Sequence, residues 1–255
     1  MKIESVMVTG ANRGIGLEFV RQLVQLSEPP SYIFATYRSA DSLKELKAIE
    51  ESSVKTRVIL IKMDVTVPEE IDAAKNIVES TVGEKGLNLL INNAGAVKIL
   101  SFPILTLENL EFHYKVNTEG PILVFQALLP SLEKAAKFYE GGMSVSKAMV
   151  LNITSLAGSI GNAGVVFTQD LAVPGYKISK AALNMAMRAI AANIKDKGIL
   201  VVNMCPGWVK TDMGGRELAQ LEPHESIANM LQTLPTLNES HNGTYMDRLG
   251  QPIPF

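Results

Sequence analysis

Only one cysteine, Cys205, occurs in the 255 residues. An intrachain disulfide is therefore impossible, and small scaffolds held together by disulfides are excluded. No uninterrupted apolar run reaches the roughly 18 residues that a membrane-spanning helix needs. Runs of like charge and clusters of Lys and Arg are missing as well. With 24 Lys+Arg against 26 Asp+Glu, a net charge of -2 and a pI near 6.0, the chain lacks the concentrated basic footprint of a nucleic-acid surface. Its three histidines, His113, His224 and His241, are scattered without metal-ligand spacing. The first apolar stretch, residues 3–9, is too short and polar for a secretory leader. These absences leave a soluble cytoplasmic protein, with neither membrane nor nucleic acid as partner, as the expectation.

What is present is an ordinary globular composition, 47% hydrophobic and 20% charged. Short β-rich runs at 6–9, 32–36, 57–62, 87–92, 148–153 and 200–204 alternate with segments of helical period at 16–26, 42–51, 68–82, 117–137 and 176–195. An amphipathic stretch at 222–233 and a last strand near 243–246 complete the series. This alternation implies right-handed βαβ crossovers and an α/β fold, a parallel sheet with helices on both faces. The strands are apolar nearly throughout, as burial on both sides requires. No repeat or linker divides the chain, so residues 1–255 read as one domain.

In such a sheet, ligands gather at the carboxyl ends of the strands. After the first strand comes Thr9-Gly10-Ala11-Asn12-Arg13-Gly14-Ile15-Gly16, and then a helix. Glycines at this turn let backbone amides approach a pyrophosphate at a helix N-terminus; they also permit close strand–helix packing with no ligand at all. The second strand ends in Arg38, where an acidic residue would favour NAD. Together with Arg13, a guanidinium there suits the 2′-phosphate of NADPH. Asp64, after the third strand, is placed either to accept from an adenine amino group or to cap a helix. Asn92-Asn93-Ala94-Gly95, after the fourth, serves either cofactor contact or the tying of loops. Asn117 interrupts an apolar helical stretch, as a cap or bend does. Pro206 and Gly207 turn the chain after the sixth strand, and Thr211 follows as a possible phosphate contact. Cys205, beside them, has no base to make it a nucleophile.

Tyr176 and Lys180 stand four residues apart at the head of a long helix, a spacing that puts both on one face. An ammonium beside a phenol is expected to favour ionisation and make tyrosine a usable acid or base. The fifth strand delivers Ser155, whose hydroxyl can bond a carbonyl oxygen that Tyr176 protonates.

Taken in order, Thr9-Gly10-x-x-x-Gly14-x-Gly16, Asn92-Asn93-Ala94-Gly95, Asn117, Ser155, Tyr176-x-x-x-Lys180 and Pro206-Gly207 resemble the short-chain dehydrogenase/reductase family over nearly the whole chain. The run Ala11 to Glu18, Asn117-Thr118-Glu119-Gly120-Pro121 and the Gly-to-Phe ending are similar to the C-factor and sniffer-type carbonyl reductases. The resemblance implies a Rossmann-type, doubly wound sheet of about seven strands, and NADP(H) as cofactor. A small-molecule aldehyde, ketone or quinone is the implied substrate, with substrate loops around 156–175 and 207–222. It implies a relay of Asn117, Lys180, Tyr176 and Ser155. Cofactor contacts are implied for Gly10, Asn12, Arg13, Gly14, Ile15 and Gly16, then Arg38, Asp64 and Val65. Further contacts would come from Asn93, Ala94, Gly95, Tyr176, Lys180, Pro206, Gly207, Val209 and Thr211. A homodimer or homotetramer through the two long helices is implied too. Ser155 and Tyr176 lie further apart in sequence than the family's commonest spacing, which leaves Thr154 and Ser159 as weaker candidates for the serine's role. A non-catalytic dinucleotide-binding regulator is the competing reading; such a protein has no chemical need for all four relay residues.

Overall fold

A computed structural model describes residues 2–164 and 173–255. The strands are β1 (Ser5–Val8), β2 (Tyr32–Tyr37), β3 (Arg57–Lys62), β4 (Leu89–Asn92), β5 (Met149–Ile153), β6 (Leu200–Cys205) and β7 (Tyr245–Asp247). They pair in the order β3-β2-β1-β4-β5-β6-β7, and every pairing is parallel. The helices are α1 (Gly14–Leu23), α2 (Lys44–Ser52), α3 (Pro68–Val82), α4 (Leu107–Tyr114), α5 (Gly120–Phe138), α6 (Pro174–Asn193) and α7 (Pro223–Thr233). Among the described residues no helix is long and apolar enough to cross a membrane.

The period of two along each strand sorts its side chains into two cores. Val6, Val8, Leu89, Ile91, Met149, Leu151, Leu200 and Val202 join Phe19, Val20 and Leu23 of α1 and Ile227 and Met230 of α7. Met7, Leu90, Val150 and Val201, one residue out of step, join Ile71, Ala74 and Val78 of α3, Val124, Phe125 and Leu128 of α5, and Leu183 and Met187 of α6. Both faces are therefore covered, which is why β1, β4, β5 and β6 are buried at every position.

At the amino end of the sheet, fully buried Asn88 clamps three strands. Its Oδ1 accepts from the amides of Glu4 (3.2 Å) and Ser5 (3.1 Å), and its Nδ2 donates to the Lys147 carbonyl at 2.9 Å. β1 and β2 have β4 and β3 as their outer neighbours, so connections run both ways from β1, and the crevice opens at the carboxyl ends of β1 and β4.

Two local expectations need correction. The helix read over 117–137 is α5, entered through a π turn, Lys115–Glu119, that joins it to a preceding helix, α4, that was not expected. Thr106 caps α4, its side chain accepting from the Asn109 amide at 3.2 Å. α5 begins at a glycine because a β-carbon at Gly120 would lie 2.7 Å from Val65 Cγ2. The segment 156–175 is not all loop: Leu156–Gly158 forms a 3-10 turn and α6 already starts at Pro174. The part of that expectation covering 165–172 lies outside the described residues. Segment 207–222 is irregular, drawn together by a parallel bridge between Val209 and Leu221.

Candidate active site

The glycine turn is built by close approach. Gly10 and Gly14 have φ of 64° and 55°, a region that disfavours other residues. A β-carbon at Gly10 would meet Ala94 Cα at 3.1 Å, and one at Gly14 would meet Thr211 Cγ2 at 3.3 Å. Thr9 Oγ1 accepts from the amides of Asn93 (3.0 Å) and Ala94 (2.9 Å), while Asn93 Nδ2 donates to the carbonyls of Thr9 (2.8 Å) and Gly10 (3.1 Å). The side chain of Asn93 is thus committed to joining β1 to β4, the loop-tying alternative. α1 starts without a side-chain cap at Arg13 and without an acidic residue in its first turn. Its leading amides and partial positive charge are left for an anion.

Around this turn, Asn12 Nδ2 contacts Ser42 Oγ. Arg13 reaches Asp212 at 3.4 Å, across to the segment after β6, and Arg216 also holds Asp212, at 2.8 Å. Arg38 is exposed at the end of β2. Asp64 neither caps α3, whose N-cap is Val67, nor stands free: its Oδ1 accepts from Thr66 N (2.9 Å) and Oγ1 (2.8 Å), closing a local turn around buried Val65. Thr211 Oγ1 accepts from Gly214 N at 3.1 Å, and Trp208 Nε1 donates to Gly214 O at 2.7 Å. Gly207, at φ 84°, turns the chain between Pro206 and Val209.

The second half of the crevice lies where α6 crosses the ends of β4 and β5. Lys180 is buried, and its Nζ donates to the Ile153 carbonyl at 2.9 Å, 5.9 Å from the centroid of the Tyr176 ring. Asn117 sits in the π turn, where a bend was expected. Its Oδ1 accepts from Ala96 N at 2.8 Å, and its Nδ2 donates to Ala96 O (2.9 Å) and Ser179 Oγ (3.0 Å). Gly95 lies between these groups: a β-carbon there would be 3.3 Å from Asn117 Oδ1 and 3.7 Å from Lys180 Nζ. The Ser155 side chain is close enough to the Tyr176 phenol to lower its pKa, and its Oγ accepts from Ala157 N at 3.2 Å. The other two candidate hydroxyls face elsewhere, Thr154 donating to Asn184 Oδ1 at 2.7 Å and Ser159 to the Pro254 carbonyl. Asn117, Ser155, Tyr176 and Lys180 are therefore brought together, from three separate elements: the π turn, the turn after β5 and α6.

The expected acidification of the phenol is not found. Burial raises Tyr176 to about 12, against the opposing effect of Ser155, and burial lowers Lys180 to about 8. Desolvation penalises the charged form of each group, and the ammonium is directed at a backbone carbonyl, not at the phenol oxygen. Near neutrality the pair is phenol and ammonium.

One neighbour of the site, a histidine with no metal-ligand spacing in the sequence, carried no functional reading there. His113, fully buried, packs edge-on against Tyr176, with ring centroids 6.3 Å apart and planes at 72°. Its Nε2 accepts from Lys98 N at 3.0 Å, so the proton sits on Nδ1, which donates to Asn109 O at 2.7 Å. Burial lowers its pKa, which keeps the ring neutral. Cys205 Sγ lies behind the site, accepting from Leu156 N at 3.1 Å, with its thiol pushed up by burial. Among the described residues no cluster of side chains offers a metal site.

The sequence pattern of short chain dehydrogenases matches residues 4–222. This chain belongs to the short-chain dehydrogenase family. Its fold is that of solved family members. The NADPH-bound carbonyl reductase from chicken fatty liver superposes with a TM-score of 0.95 at 39% identity, over 100% of this chain and 95% of that one. The carbonyl reductase Sniffer of D. melanogaster does so with a TM-score of 0.92 at 32% identity, over 100% of both. The C-signal protein of Myxococcus xanthus is 32% identical over 170 residues, 66% of this chain and 93% of that protein. As a family member the chain is an oxidoreductase.

Proposed function

We propose that this oxidoreductase is an NADP(H)-dependent carbonyl reductase, acting on an aldehyde, ketone or quinone. The observation that carries the reading is the convergence of the Ser155 and Tyr176 side chains and the buried Lys180 ammonium at the carboxyl edge of the sheet. The residues present suit the dinucleotide. Gly10 and Gly14 leave backbone exposed where a β-carbon would crowd the turn, and the uncapped start of α1 favours a diphosphate. Asn12, Ile15 and Gly16 complete that turn. Arg13 and Arg38 would hold a 2′-phosphate, Arg13 exchanging Asp212 for it while Arg216 keeps Asp212 paired. Asp64 and Val65 would border the adenine, Asn93, Ala94 and Gly95 the ribose side, and Pro206, Gly207, Val209 and Thr211 the carboxamide end. Support also comes from the chicken enzyme, which was solved with NADPH.

When bound, NADPH supplies the hydride. Tyr176, protonated because its pKa is about 12, donates the phenolic proton to the substrate's carbonyl oxygen. Ser155 donates a hydrogen bond to the same oxygen and steadies its developing charge. The Lys180 ammonium compensates the phenolate left behind, and Asn117, fixed to Ala96 and Ser179, orders the route by which a solvent proton returns. In the same reading the protein works in the cytoplasm as a homodimer or homotetramer.

The test is NADPH consumption with a panel of aldehydes, ketones and quinones, by wild type and Tyr176→Phe. We expect kcat to fall about 10²–10⁴-fold in the variant, the usual worth of a positioned general acid, with NADPH affinity unchanged. A variant as active as wild type, or a wild type inert towards every carbonyl while binding NADPH, would overturn the reading.

A further inference from the structure

Ser155 and Tyr176 sit on different elements, the turn after β5 and the head of α6, so something must set their separation. The groups that do so lie beneath the site. Asn184 is on α6, one turn beyond Lys180, and is 1% exposed. Its Oδ1 accepts from Thr154 Oγ1 at 2.7 Å and its Nδ2 donates to the Gly158 carbonyl at 3.3 Å, so one carboxamide grips the residues on either side of Ser155. Tyr245, 2% exposed on β7, donates its hydroxyl to the Ser155 carbonyl at 2.6 Å. Burial pushes the Tyr245 phenol far up, so it stays a donor at every working pH. Asn203 on β6, paired in register with Tyr245, ties in the backbone of the same helix, its Nδ2 donating to Asn184 O at 3.3 Å. The turn itself lies directly on α6, where a β-carbon at Gly158 would come within 2.8 Å of the Lys180 carbonyl carbon.

We propose that Asn184 and Tyr245 are positioning residues, which hold the Ser155 turn against α6 and so place the Ser155 hydroxyl beside Tyr176, without touching substrate or cofactor. The proposal rests on the carbonyl-reductase reading for its kinetic consequence, though not for its structural one. An asparagine on the inner face of a long helix is otherwise a costly choice, since a buried carboxamide needs partners for all its groups. Here those partners belong to one short turn.

The decisive variant is Tyr245→Phe, which removes one oxygen and keeps the ring. We expect kcat to fall about tenfold, the effect of one lost net hydrogen bond, with KM for NADPH unchanged. In a Ser155→Ala background the same substitution should have almost no further effect, because the group it positions is gone. A role in general stability would lower both backgrounds alike, and that result would overturn the proposal, as would an unchanged kcat in the single variant. Asn184→Asp keeps the shape and the acceptor for Thr154 but loses the donor to Gly158, and should also lose its effect in the Ser155→Ala background. Amide hydrogen exchange gives a readout free of activity. Residues 155–158 should exchange faster in Tyr245→Phe than in wild type, with β1 and β4 unchanged; equal rates would overturn the proposal. Should wild type reduce no carbonyl while the exchange result holds, the functional reading falls and the positioning stands.

Discussion

Lys180 carries its charge in a place that resists charge, and that cost governs how proton transfer answers to pH. Its folded pKa of about 8 lies below the ordinary lysine value of 10.5, so the ammonium is nearly complete at neutral pH and is lost as pH rises through 8. Tyr176, at about 12, keeps its proton across the same range. Carbonyl reduction should therefore be level at lower pH and fall about tenfold per unit above 8, following Lys180 and not the phenol. A kcat profile checks this, and Lys180→Arg, whose guanidinium does not deprotonate, should move the fall upward. At this scale the sequence was informative where chemistry depends on neighbours in the chain. Tyr176 and Lys180 share a helix face, and the glycines share a turn. It was silent on the pKa directions, which depend on burial by distant segments. His113 sits between these cases: Asn109, His113 and Asn117 recur every fourth residue and all three are buried. That polar stripe on a helix was visible in the sequence, but the partner it packs against was not.

Among the elements, the glycine turn leaves little room for substitution. A methyl at Gly16 would overlap the Gly10 carbonyl oxygen and come within 2.5 Å of Asn93 Nδ2. Both are backbone or backbone-tethered groups that cannot step aside. We expect Gly16→Ala to cost about 1–3 kcal/mol, the range for overpacking, seen as a lower Tm, and to weaken NADPH binding by distorting the start of α1. A melting curve and a cofactor titration measure the two effects. Strands and most helices were legible because hydrophobic period and turn residues are local signals. The π turn between α4 and α5 was not, since one extra residue per turn leaves no compositional mark. What specifies it is long-range, namely Asn117 bonding to Ala96 and Ser179, and Thr118 Oγ1 donating to Ser179 O at 2.8 Å.

For the whole molecule, alternation of strands and helices sufficed to read an α/β sheet with two covered faces, while the number of strands came from the family resemblance and their order only from the structure. The outer surface of α5 and α6 leaves Leu123, Ile178 and Met185 exposed, Met185 by 66%. A second copy covering this surface is the expected assembly. Met185→Glu places a charge in such an interface, and light scattering should then show wild-type oligomers replaced by monomers. A wild type that is monomeric at micromolar concentration would count against the assembly.

All seven strands run the same way, so the two rims of the sheet have unrelated duties. One rim ends in Gly10, Arg38, Gly95, Ser155 and Gly207; the other is fastened by Asn88 to Glu4, Ser5 and Lys147. In a saturation scan, height along the strand axis should sort the outcomes. Changes near Asn88 should deplete the amount of folded protein while each surviving molecule turns over normally, whereas changes to the reacting side chains of the far rim, such as Ser155, should leave yield intact and silence catalysis.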